Sequence, residues 1–178
     1  MPASRPSVLP TRRHYLWAFA CLVVAALAYY LFERYSLVGP FGWLGHLSAL
    51  LTSWLLAPFN IQAHADGPAL ASTRFALVIA PGCSPVPPFL LYAAAVVAFP
   101  APLLFKLMGL LFGAIALFAL NVVRLFTLFI AGQAAPQYLD LLHDFLWQLA
   151  MVAAILTLWF LWVRRLPPVR SPLPPPQP

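Results

Sequence analysis

The eighteen residues from Tyr15 to Phe32 contain no charged side chain, and they lie just behind Arg12 and Arg13. A helix of that length covers a hydrocarbon core of roughly 30 Å. Further apolar runs extend from Phe89 to Phe105, from Leu107 to about Val123 and from Leu142 to Val163. Hydrophobic residues make up 63% of the 178 and charged residues 8%. That balance, with a mean hydropathy of +0.88, excludes an ordinary soluble domain. Tyr29, Tyr30 and Phe32 stand where a signal peptide would carry small residues for cleavage, so the first run reads as a retained anchor.

The segment "FGWLGHLSALLTSWLLAPF" is also long enough to cross. On a helical wheel Trp43, Leu44, Leu47, Leu50, Leu51, Trp54 and Leu55 share one face, while Gly45, His46, Ser48, Thr52 and Ser53 take the other. This pattern predicts a helix lying in the membrane interface. Charge placement agrees. With four crossings Arg5, Arg12, Arg13, Lys106, Arg164, Arg165 and Arg170 are cytoplasmic, and all four acids, Glu33, Asp66, Asp140 and Asp144, are outside. A fifth crossing would export the C-terminal arginines, against the positive-inside tendency. The net charge of +6 therefore serves orientation beside a lipid bilayer, and no nucleic-acid partner is indicated.

The expected fold is an all-α integral membrane protein with about four transmembrane helices and one amphipathic interfacial helix on the outer side. Residues 1–14 form a cytoplasmic N-terminal segment. The transmembrane domain covers 15–166, with spans at about 15–33, 86–105, 107–130 and 142–163 and the interfacial helix at about 41–58. Residues 167–178 are a proline-rich, disordered cytoplasmic tail. Asp66, Gly67 and Pro68 signal a turn before "RFALVIA", a short extended segment, and Pro100 and Pro102 mark the bend between the second and third spans.

Three chemically capable side chains fall at one depth. Cys83 lies 23 residues before Lys106, Arg124 lies 18 after it, and His143 lies 21 before Arg164. At about 1.5 Å per residue each separation is roughly one membrane thickness, so a thiol, a guanidinium and an imidazole meet at the outer face. Together they can supply a nucleophile, a charge stabiliser and a proton carrier. Each also has a plainer reading. A lone cysteine such as Cys83 or Cys21 is commonly a small apolar filler. Arg124 could pair structurally with Asp140 or Asp144, or snorkel to the interface. A histidine opening a span often only satisfies a helix end.

The surroundings favour chemistry. Pro87 and Pro88 suit the opening turn of a helix, which sets Cys83 just ahead of an N-terminus whose dipole favours thiolate, and Gly82 allows close backbone approach. Asn121 shares a helix face with Arg124 and can hold its guanidinium or a common ligand. Asp140 or Asp144 can orient His143. His14, His46 and His64 share neither a face nor ligand spacing, so neither a metal nor another cofactor is expected. Trp17, Trp43, Trp147, Trp159 and Trp162 suit interfacial belts or span packing.

In order, Cys83 in "GCS", Asn121 to Arg124 as "NVVR" and His143 at the start of the last span resemble the exosortase and archaeosortase family, over about Phe75 to Val163. Members are membrane-embedded cysteine transpeptidases. The resemblance implies that Cys83 is the nucleophile, Arg124 the motif arginine and His143 the catalytic histidine. It further implies that the chain cleaves membrane-anchored proteins carrying a C-terminal sorting signal and transfers them to an envelope acceptor, at the outer face of a bacterial cytoplasmic (inner) membrane. Pro85 stands where the family often has glycine, and the chain's length is that of compact members. Two other classes compete: a noncatalytic membrane scaffold or assembly factor, and a small-anion carrier using Arg124.

Overall fold

The computed structural model describes residues 12–35 and 42–166. Arg5, Arg170 and the proline-rich segment 167–178 lie outside them. Five α-helices occur in chain order: α1, Arg12–Tyr35; α2, Gly42–Leu56; α3, Val86–Ala98; α4, Leu103–Ala134; and α5, Trp147–Arg164. Between α2 and α3 lies a three-stranded antiparallel sheet of β1, His64–Asp66, β2, Ala69–Ala71, and β3, Ala76–Val78, in that order. The all-α expectation is corrected here. The Gly67–Pro68 turn, with Gly67 at φ +55, closes β1 onto β2, and "RFALVIA" supplies β3 rather than an isolated extended segment.

Among the described residues three helical segments are long and apolar enough to cross a membrane: Tyr15–Tyr35, Leu103–Ala134 and Pro136–Arg164. The expected second span, 86–105, is shorter. Proline at 100 disfavours helical backbone at Phe99, so α3 stops after 13 residues, about 20 Å. Phe99 turns to extended backbone at φ −75, ψ 136, and α4 begins at Leu103. Lys106 therefore sits inside α4 rather than at the bend. Its ammonium reaches back 2.7 Å to the carbonyl of Val97, satisfying one of the acceptors that a helix end leaves unpaired.

α3 runs antiparallel to α1 and packs against α4 and α5. Its buried Tyr92 and Val96 meet Leu117, Ile155 and Trp162 in one apolar cluster. Gly109 and Gly113 of α4 open that interface. A Cβ on Gly113 would stand 2.0 Å from the Tyr92 ring, and one on Gly109 would stand 2.4 Å from the Trp162 indole. Spaced four apart, these glycines let neighbouring helices approach the α4 backbone. Tyr92 then donates to the Gly109 carbonyl at 3.1 Å, and Trp162 Nε1 to that of Phe105 at 2.9 Å.

A second cluster joins α2, the sheet and the far half of α4 through Ala49, Leu56, Leu70, Ile79, Leu125 and Phe129. The two faces of α2 are segregated as expected, but the polar one points inward: Ser48 and Thr52 are fully buried, while Trp43, Leu47, Trp54 and Leu55 are exposed. Thr52 spends its hydroxyl on the Ser48 carbonyl at 2.7 Å, which lets it be buried. His46 Nδ1 contacts the Gly67 carbonyl at 3.1 Å and ties α2 to the β1–β2 turn.

Candidate active site

Residues Pro81 to Cys83 form a single 3₁₀ turn ahead of α3, closed by the Cys83 N–H donating to Ala80 at 2.8 Å and that of Ser84 to Pro81 at 3.1 Å. Pro87 and Pro88 occupy the first turn of α3, where a missing N–H costs nothing. The two turns present the Cys83 thiol to the start of the last helical segment. There Leu141–Leu146 winds as a π-helical turn, wider than an α-turn, before α5 begins. Its His143 places Nε2 2.9 Å from Cys83 Sγ.

On the other side of the ring, His143 Nδ1 lies 2.6 Å from Asp144 Oδ1. A carboxylate only accepts, so Nδ1 carries the hydrogen and Nε2 offers its lone pair to the thiol. Of the two acids that sequence reasoning offered for orienting His143, Asp144 does so. Asp140 is exposed, and among the described residues the His143–Asp144 contact is the one in which a basic nitrogen meets a carboxylate.

Arg124 is 5% exposed and lines a cavity of about 570 Å³ together with Cys83, His143 and Gln148. Neither Asp140 nor Asp144 pairs with it, which removes the structural ion pair as its explanation. Its Nε is buried without a partner. The backbone at Arg124 is held by a relay: Thr127 Oγ1 donates to the Arg124 carbonyl at 2.9 Å, and Trp147 Nε1 donates to Thr127 Oγ1 at 2.9 Å. Trp147 thereby fastens the root of α5 to the turn of α4 that carries the guanidinium.

Asn121 departs from expectation. It lies on α4 three residues before Arg124 and is fully buried, but its amide oxygen and nitrogen have no partner and it does not line the cavity. Gly82 does line it. Among the polar lining residues Gln148 on α5 escaped the sequence reading, and so did Tyr29 and Glu33, one turn apart on α1. The signal of the α1 pair was an acid at the end of the first apolar run with a tyrosine four residues earlier.

Burial pushes the Cys83 thiol above its ordinary pKa. The Arg124 guanidinium pulls it back down and the Asp144 carboxylate pushes it up. The expected lowering by a helix N-terminus is thus outweighed. α3 begins only at Val86, and Cys83 ends its own 3₁₀ turn rather than starting a helix. A thiol held neutral at rest needs a base at the moment of attack, and the lone pair of Nε2 stands in hydrogen-bond range. Among the described residues no group of histidine, cysteine and carboxylate side chains could hold a metal ion. No protein-family model, curated protein or solved structure matches the chain.

Proposed function

We propose that the chain is a membrane-embedded cysteine peptidase or transpeptidase of the exosortase kind, acting on a peptide carbonyl at the outer face of the cytoplasmic membrane. The observation that carries this reading is the 2.9 Å contact of Cys83 Sγ with an imidazole whose other nitrogen is held by a carboxylate. That is the nucleophile, base and orienting group of cysteine acyl transfer, in the order such chemistry requires. In the membrane, α3 joins the three longer segments as a fourth crossing, both termini are cytoplasmic, and α2 lies on the outer side.

His143 takes the thiol proton as Sγ attacks the carbonyl carbon. The Arg124 guanidinium faces the oxyanion, a contribution of roughly 3 to 4 kcal/mol for one well-placed donor. As the tetrahedral species collapses, His143 returns the proton to the departing amine. A thioester on Cys83 remains until an acceptor or water releases it. The arginine with no acid partner also supports a second reading, an anion carrier. The two separate by their dependence on sulfur.

The test is a coexpressed reporter whose C-terminal tail carries a randomised tripeptide, an apolar helix and an arginine cluster. Processing is read by gel mobility at matched membrane abundance. Cys83→Ala, Arg124→Ala and His143→Ala should each abolish processing, and a mass increment should appear on Cys83 of the wild type. Processing that survives Cys83→Ala would sink the cysteine mechanism. A carrier would lose transport with Arg124→Ala and keep it with Cys83→Ala.

A further inference from the structure

The cavity is lined by side chains of opposite charge. Arg124, His143 and Gln148 form the side built by α4 and the last helical segment, and α1 contributes Tyr29 and Glu33. Glu33 is the only carboxylate in the lining. It is exposed at the mouth, and no cation is paired with it among the described residues. Tyr29 stands one turn before it on the same helix and lines the same cavity. Its hydroxyl stands 3.8 Å from where a Cβ on Gly82 would lie, one residue from the thiol. Carboxylate, phenol and sulfur therefore line one cavity, with the phenol near the residue that precedes the thiol.

We propose that Glu33, with Tyr29, is the acceptor subsite, and that the acceptor is a primary amine bound as its ammonium. This rests on the acyl-transfer reading above. Arg124 already supplies the charge that an oxyanion needs, so a carboxylate in the same cavity has no role in cleavage. Water or an alcohol needs a base but no counter-charge. An ammonium needs both, because it must be held in a partly apolar cavity and must lose a proton before its nitrogen can attack.

The step balances as follows. Glu33 accepts one proton from the ammonium, and the freed lone pair forms the C–N bond to the thioester carbonyl carbon. The oxyanion collapses and the C–S bond breaks. The second proton lost by nitrogen passes through His143 to the leaving sulfur. Glu33 then releases its proton to water, leaving an amide and a free thiol.

The experiment uses the purified full chain in vesicles and needs no sorting motif. p-Nitrophenyl acetate acylates Cys83, and the p-nitrophenolate burst reports acylation alone. Partition of the acetyl group is then measured with ethanolamine in solution, with phosphatidylethanolamine in the vesicle, and with phosphatidylcholine, whose nitrogen has no hydrogen to lose. Wild type should give amide with one of the two primary amines, which assigns the acceptor to the aqueous phase or to the lipid. Glu33→Gln should lower the amide-to-acetate ratio roughly tenfold, the loss expected for a charge-assisted hydrogen bond, with a burst within twofold of wild type. Tyr29→Phe should fall between them. The normal burst shows that the variant is folded. An unchanged ratio in Glu33→Gln, or acetate alone from wild type with both amines, overturns the amine subsite. Absence of any Cys83-dependent burst overturns the acyl-transfer reading itself.

Discussion

At Cys83 burial and charge act on one sulfur with opposite signs, and each contribution can be removed separately. In a Cys21→Ser background, the rate of Cys83 alkylation by iodoacetamide should rise with pH through a midpoint above that of an ordinary thiol, because burial disfavours the thiolate. Arg124→Gln removes the cation that lowers the pKa, so its midpoint should move further up. Asp144→Asn removes an anion that raises it, so the midpoint should move down. Identical profiles in all three proteins would show that neither charge reaches the sulfur. The same shift makes a statement about folding. The neutral thiol is favoured in the folded chain, so its contribution to stability is whole below the ordinary thiol pKa and is lost as pH rises through the folded value. Cys83, Arg124 and His143 could be read from the sequence because polar side chains beside apolar runs have few places to go. The choice of Asp144 over Asp140 could not, since it depends on the π-helical turn. Glu33 and Tyr29 were missed because they belong to a segment more than forty residues before Cys83 in the sequence, and only packing brings α1 to the site.

Helix boundaries here follow backbone chemistry more closely than hydrophobicity. Apolar sequence runs on through Phe99 to Phe105, but proline at 100 ends α3 and sets the short link to α4. The π-helical turn has no such signature, yet it sets the direction of His143. Deleting Phe145 should convert that turn to ordinary α-helix and rotate His143 by about 100° relative to α5. The expected outcome is normal membrane abundance with no tail processing and slower alkylation of Cys83. Retained processing would mean that the wide turn is dispensable. The glycines of α4 offer a second test. Gly113→Val would drive side-chain carbons into the Tyr92 ring, where even a Cβ stands at 2.0 Å. Overpacking of this kind costs about 1 to 3 kcal/mol, which thermal unfolding in detergent should register, and Ile115→Val on the exposed side of α4 should not. The sequence reading passed over this glycine pair, because its meaning lies in Tyr92 and Trp162 on other helices.

For the molecule as a whole, the acids gather at one end of the helices. Arg13, Lys106, Arg164 and Arg165 lie towards one end, where α1 begins, α4 begins and α5 ends. Glu33, Asp66, Asp140 and Asp144 lie towards the other, with the cavity, in company with Arg34, Arg74 and Arg124. The sequence reading expected the acids to gather in this way, and the four crossings proposed above would return these basic clusters to one side. In a background without native cysteines, Gln137→Cys should react with an impermeant maleimide on intact cells, and Leu166→Cys only after permeabilisation. The opposite result would invert the topology. What the sequence hid was the depth of α2, because its polar side faces protein and the wheel alone cannot tell a protein partner from water. The length of α4 has one further consequence. Its 32 residues extend about 48 Å, well past a hydrocarbon core of roughly 30 Å, and Gly132 near its overhanging end receives the ring of Phe75 from beside β3. The small sheet is thus moored to a mast and has little stability of its own. In native-state hydrogen exchange its amides should open before those of α4 near Leu117, and Phe75→Ala should release them together, as a unit that melts while the bundle stays folded.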